Sequence, residues 1–136
     1  ARITHRDPQA YYSPVLDLVN MPPIETFENS AFYYSVLFHE LGHWTGGKKR
    51  LDRDMTGRNG NEKYSKEELI AEMTAAFLCA EMGIDNDDLT MNSAAYLKGW
   101  ITALKGDTKL LITAASAAQK AHKFLTQNIK ELELTS

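Results

Sequence analysis

The chain has 136 residues, 43% hydrophobic and 24% charged, with a formal net charge of −3. That describes one ordinary globular domain, long enough to bury a core without staples, whose charge gives no reason to expect nucleic-acid binding by this piece alone. The single cysteine, Cys79, excludes an internal disulfide framework and suits a reducing cytoplasm, and no apolar run approaches the length of a membrane span.

From Ala1 to Pro8 the chain is polar and basic and reads as a tail or a short edge strand, with His5 at the surface. Tyr11 to Asn20 alternates loosely between apolar and polar residues, and Pro14 restricts any strand there to a sheet edge. Met21-Pro22-Pro23 breaks it. Thr26 or Asn29 can then cap a helix with Phe32, Val36 and His39 on one stripe and Tyr33, Leu37, Leu41 and Trp44 on another. Gly42 inside this helix costs about 1 kcal/mol relative to alanine, which makes sense where another backbone or a metal approaches closely. Gly46-Gly47 ends the helix, and Lys48 to Lys63, with Gly57, Asn59 and Gly60, reads as a surface loop.

Ser65 to Met82 is expected to be a second helix, with Cys79 in its apolar run and Gly83 at its end. Asp85 to Asp88 is an acidic turn without the full calcium-loop spacing. Asn92 to Lys105 carries Tyr96, Leu97, Trp100, Ile101 and Leu104 as the apolar stripe of a third helix. After Gly106-Asp107, Thr108 is read as the cap of a long last helix, rich in alanine, in which His122 is structural.

The first helix carries His39-Glu40-Leu41-Gly42-His43, a His-Glu-x-x-His motif. One helical turn separates the histidines, so two imidazoles can reach one metal ion with Glu40 beside them. Zinc takes neutral imidazole nitrogens, and a catalytic zinc keeps three protein ligands and an open position for water. Glu40 is the natural base for that water and the donor to a leaving amine.

The second helix must supply the third ligand. Glu68 and Glu72 share a face there, followed by Ala71, Ala75 and Ala76, which permit close helix approach. One acid can bind the metal while the other orients a histidine. Ser65-Lys66-Glu67-Glu68 also fits a capping box, which would divert Glu68 to backbone and leave Glu72 as the ligand. Glu68 is preferred and Glu72 is the alternative.

The order Tyr12-Ser13-Pro14, Met21-Pro22-Pro23, Phe27, Tyr33-Tyr34, the motif from His39 through Gly46, Arg50-Leu51, Glu67 through Glu72 and Asn92 through Tyr96 resembles the zincin-like metallopeptidase domain of ArdC-type antirestriction proteins. The similarity runs from about Tyr12 to Phe124. It implies His39 and His43 as metal ligands, Glu40 as catalytic base and a glutamate of the Glu68/Glu72 pair as third ligand. The Glu68-x-x-Ala71-Glu72 segment is similar to the Glu-x-x-Ala-Asp of other zincins, whose first acid binds zinc; Glu72 stands where those families have aspartate, leaving the two roles open to exchange. In this family the domain follows a single-stranded-DNA-binding domain, in proteins of plasmids, conjugative elements and phages.

The expectation is therefore an α+β zincin-like fold over residues 1–136, with a small N-terminal sheet and about four helices, excised from a longer cytoplasmic protein. Its expected function is zinc-dependent hydrolysis of peptide bonds in a protein or peptide substrate, without contact to membrane and with single-stranded DNA bound only through the absent upstream domain. Tyr96 or Tyr64 could serve as oxyanion donor, although aromatic packing accounts for either. The competing reading is a metal-stabilised interaction domain of an antirestriction protein with weak or lost proteolysis, and intact Glu40 argues against complete loss.

Overall fold

The computed structural model describes residues 1–55, 62–84, 94–95, 98–99, 101–102 and 107–135. Three short strands, β1 (Ile3–Thr4), β2 (Tyr11–Ser13) and β3 (Leu18–Asn20), precede a 3-10 turn at Ile24–Thr26 and the helices α1 (Ser30–Trp44), α2 (Glu62–Glu81) and α3 (Thr108–Thr135). Between α2 and α3, residues 94–95, 98–99 and 101–102 are helical, within the span expected for a further helix. The expected α+β architecture holds, with the small sheet at the N-terminus.

The sheet order is β1-β3-β2, with β1 parallel and β2 antiparallel to β3. Tyr11 to Asn20 is thus a hairpin, where a single edge strand was expected. Pro14 begins the turn after β2 at the sheet edge, and β3 returns as the central strand with Leu18, Val19 and Asn20 buried. Asp17 adopts a left-handed φ of 50° at the turn, a conformation that aspartate tolerates better than most side chains. Asn20 earns its burial through its amide. Its Oδ1 accepts from Thr4 Oγ1 at 2.7 Å and from the Arg6 amide at 3.0 Å, while its Nδ2 donates to the carbonyls of Asp7 and Gln9.

Asn29 is the N-cap of α1, its side chain accepting from the Phe32 amide at 3.1 Å. Tyr33 and Leu37 pack with Val19 and Met21 of the sheet side, and Phe38 packs with Ala75, Leu78, Cys79 and Leu125. Helix α1 therefore lies between the sheet and the other helices. Thr45 ends it, donating from Oγ1 to the Gly42 carbonyl at 2.6 Å.

Helix α2 begins at Glu62, three residues before the expected start, so Ser65 is inside the helix and is not its N-cap. The end is as expected. Gly83 has φ +69°, and the Ile84 amide donates to Cys79 and the Gly83 amide to Ala80, closing the helix with Ile84 folded back onto the core. Helix α3 packs Ala114 and Ala118 against Leu69 and Ile70 of α2. Its first turn is capped by Asp107, which accepts from the Leu110 amide at 3.1 Å; Thr108, expected as the cap, is the first helical residue. Aspartate one position earlier offers the carboxylate that reaches the third amide of the helix. His122 pairs with Glu81 of α2.

Gly57, Asn59, Gly60, the acidic turn at 85–88, Tyr96 and the side chain of Tyr64 lie outside the described residues. Among the described residues no helix is long and apolar enough to cross a membrane.

Candidate metal centre

The site forms where α1 crosses α2. On α1, one turn of helix sets the His39 and His43 rings edge to face, with centroids 4.9 Å apart. The approach of the helices depends on two small residues: an ideal Cβ on Gly42 would stand 3.0 Å from the Ala71 Cα. That closeness brings Glu67, Glu68 and Glu72 of α2 against the imidazoles.

Glu68 lies between the two rings. His39 Nε2 donates to its Oε2 and His43 Nε2 to its Oε1, each at 3.1 Å. The other ring nitrogens face different acids: His39 Nδ1 donates to Glu72 Oε2 at 3.0 Å and His43 Nδ1 to Glu67 Oε2 at 2.8 Å. A carboxylate stands at each ring nitrogen, and these acids favour the imidazolium form of both histidines. Burial opposes this charge on His39, but Glu68 and Glu72 overcome it and hold the pKa raised to about 10. His43 is likewise raised against burial by Glu67 and Glu68. Burial would lift Glu68, yet the two histidines hold it well below the ordinary carboxylate range.

Glu40 behaves differently. It is 9% exposed, and burial pushes its carboxyl up, opposed by the positive charge of His39 and His43 and by a hydrogen bond from the Tyr12 backbone. Strand β2 thus reaches the carboxylate that neighbours both histidines.

The donor set fits a divalent cation. One atom each from His39, His43 and Glu68 lie within 4.8 Å of one another, whereas ligand atoms around a tetrahedral zinc stand roughly 3.4 Å apart, given metal–ligand bonds of about 2.1 Å. A small inward movement would complete the cage. Two imidazoles and one carboxylate are also the donors that zinc accepts at catalytic sites. All five residues singled out by spacing, His39, Glu40, His43, Glu68 and Glu72, are brought together here.

Two further participants carried no assigned role in the sequence reading. Glu67 holds His43 Nδ1, and Arg53, from the loop after α1, grips Glu67 with Nε to Oε1 at 2.7 Å. Burial raises the Glu67 carboxyl, but His43 and Arg53 outweigh it and lower the pKa. A signal for Glu67 existed: each metal-binding histidine hands its second nitrogen to an acceptor, so two histidines call for two supporting acids. Arg53 sits in no motif. Beside this support, a cleft of about 630 Å³ opens between the hairpin and the loop after α1, with Tyr12, Pro14, Gly47, Arg53 and Met55 in its wall.

Residues 1–117 match the zincin-like metallopeptidase family. The chain is 42% identical over 118 residues to the protein y4eC of Sinorhizobium fredii, covering 87% of this chain and 38% of that protein. It is 40% identical over 126 residues to the DNA primase TraC of Escherichia coli, covering 92% of this chain and 9% of TraC. In three dimensions it resembles the antirestriction protein ArdC of plasmid R388 in a Mn(II)-bound crystal structure, with a TM-score of 0.73, 46% identity and coverage of 93% of this chain and 46% of ArdC. The metal-free ArdC structure gives a TM-score of 0.72 at 45% identity, with 96% of this chain and 46% of ArdC covered. The chain therefore spans less than half the length of these relatives, and within them it corresponds to one part. By sequence match and by fold, the chain belongs to the zincin-like metallopeptidase family.

Proposed function

We propose that this domain is a zinc-dependent peptidase acting within a longer antirestriction or DNA-transfer protein of the bacterial cytoplasm. The observation that carries the reading is the convergence of His39 Nε2, His43 Nε2 and the Glu68 carboxylate beside the buried carboxyl of Glu40. His39, His43 and Glu68 hold the cation. Glu72 and Glu67 keep the two Nδ1–H groups occupied, so that each Nε2 is turned inward as a ligand. When bound, zinc supplies the Lewis acidity that acidifies water and polarises a carbonyl.

Glu40 does the proton work. It takes the proton of the attacking water on a carboxylate oxygen and returns it to the leaving amine. The substrate is a protein or peptide. It lies extended along β2, an edge strand whose Tyr12 backbone already reaches Glu40. Single-stranded DNA is left to the part of the longer protein that this chain does not span.

The test compares wild type with Glu40→Gln for bound zinc per chain and for cleavage of a mixed peptide library. The expected result is about one zinc per chain in both, by the three-ligand chemistry of such sites, with cleavage by wild type alone. Zinc in neither protein sinks the metal-centre reading. Zinc in both, together with equal antirestriction activity in cells, would replace catalysis with a metal-stabilised interaction role.

A further inference from the structure

Arg53 leaves the loop after α1 and reaches both helices of the site. Its Nε donates to Glu67 Oε1 at 2.7 Å and its Nη2 to Glu67 Oε2 at 3.1 Å. The same Nη2 donates to the Gly42 carbonyl at 2.7 Å, and Nη1 to Thr45 Oγ1 at 3.0 Å. The pair is enclosed, with the Arg53 side chain 13% exposed and that of Glu67 8%. A two-pronged guanidinium contact fixes the plane of a carboxylate as well as its position, which a lysine ammonium does not do.

Glu67 Oε2 is the atom that receives His43 Nδ1. Gly42, whose carbonyl Arg53 also holds, is the residue immediately before His43. One guanidinium therefore restrains both the carboxylate that aims the His43 ring and the backbone that carries it. We propose that Arg53 is a positioning residue of the metal centre: through Glu67 it holds the His43 ring so that Nε2 faces the point shared with His39 Nε2 and Glu68. The inference rests on the metal-centre reading above. It also gives the loop after α1 a part in the metal centre.

The experiment titrates cobalt(II) into the metal-stripped domain and reads affinity and the visible ligand-field spectrum. Arg53→Met is expected to bind cobalt about 10- to 100-fold more weakly than wild type, with an altered spectrum, which is the usual cost of losing an outer-sphere support. Arg53→Lys, keeping the charge without the fork, is expected to resemble it. Glu67→Gln is expected to weaken binding as well, and the Arg53→Met/Glu67→Gln double variant to bind no more weakly than the worse single variant, because both act along one chain of contacts. Asn29→Ala removes the N-cap of α1, ten residues before His39 and outside this chain of contacts, and is expected to lower the melting temperature while leaving cobalt affinity and spectrum unchanged.

Wild-type affinity and spectrum in Arg53→Met would overturn the proposal, as would a loss in Asn29→Ala equal to that in Arg53→Met. If Arg53→Met does not fold, Glu67→Gln and Arg53→Lys carry the test, and wild-type cobalt binding in both overturns it. Failure of the wild type itself to bind cobalt overturns the metal-centre reading beneath.

Discussion

Gly42 and Ala71 bring the backbones of α1 and α2 together at the centre of the site. A Cβ on Gly42 would stand 3.0 Å from the Ala71 Cα, 3.3 Å from its carbonyl oxygen and 3.4 Å from the Thr74 Cβ. The obstacles at Ala71 are backbone, so a new methyl could fit only by moving a helix.

Gly42→Ala sets two effects against each other. Alanine is better than glycine inside a helix by about 1 kcal/mol, whereas forcing an extra methyl into a packed interface costs about 1–3 kcal/mol. Because the obstacle is main chain, the steric effect is expected to win, with net destabilisation of up to about 2 kcal/mol from the difference of those ranges. Urea denaturation of the metal-free protein checks this. A more stable variant would mean that the helices are free to part.

The acids of α2 separate by which histidine nitrogen they face. Glu68 meets both Nε2 atoms, and Glu72 meets only the Nδ1 of His39. Glu68→Gln is therefore expected to abolish tight zinc binding, whereas Glu72→Gln is expected to weaken it about 10- to 100-fold. Competition against a chromophoric chelator measures both. The reverse order would make Glu72 the ligand and Glu68 the support.

The same contacts set the pH response of the metal-free protein. His39 is raised from 6.5 to about 10, so its pairing stabilises the fold fully below pH 6.5 and is lost as pH climbs through about 10. Glu68 is depressed from 4.5, so its contribution is present above pH 4.5 and is lost as pH falls towards its folded pKa. Glu40, raised by burial, also disfavours the fold as it ionises above 4.5. Maximum stability of the metal-free protein is thus expected near the acid side of neutrality, between about pH 4.5 and 6.5. Zinc competes with protons for the same nitrogens, so saturating zinc is expected to move the maximum upward. Thermal melts across pH with and without zinc read both effects, and coincident profiles would refute the linkage.

What could be read from the chain and what could not divide along the range of the interactions. His39 and His43 share a face because helical geometry alone puts residues four apart together, and Glu68 and Glu72 obey the same rule on the next helix. Which acid meets which nitrogen depends on the register of α2 against α1, set by the contact of Gly42 with Ala71, and no local pattern reports it. Arg53 was illegible for the same reason: its partners are Glu67, Gly42 and Thr45, on two helices, and its own segment is a loop without periodicity. At element ends the errors were local competitions. Asp107 and Thr108 both suit an N-cap, and Glu62 through Tyr64 belong to the helix that Ser65 is equally suited to open. Pro14 marked a sheet edge, but only the return of Leu18 to Asn20 beside β1 turned one expected strand into two.

Arg50 ties that hairpin to the end of α1. Its guanidinium lies 4.1 Å from the centre of the Trp44 ring, its Nε donates to the Trp44 carbonyl, and its Nη groups pair with Asp17 and with the Tyr12 hydroxyl at 3.2 Å. The planar cation stacks and forks at once, which lysine cannot reproduce. Arg50→Lys is expected to cost about 1–2 kcal/mol, by loss of stacking and of a charge-assisted bond to the helix-end carbonyl. The consequence should extend to the site, because Tyr12 also holds Glu40 through its backbone. Hydrogen exchange is therefore expected to quicken at Tyr11 to Asn20 in the variant, and peptide cleavage to fall while zinc affinity stays at the wild-type value. Loss of zinc affinity in parallel with cleavage would show that the hairpin supports the whole metal centre, and unchanged cleavage would show that Glu40 is held without it.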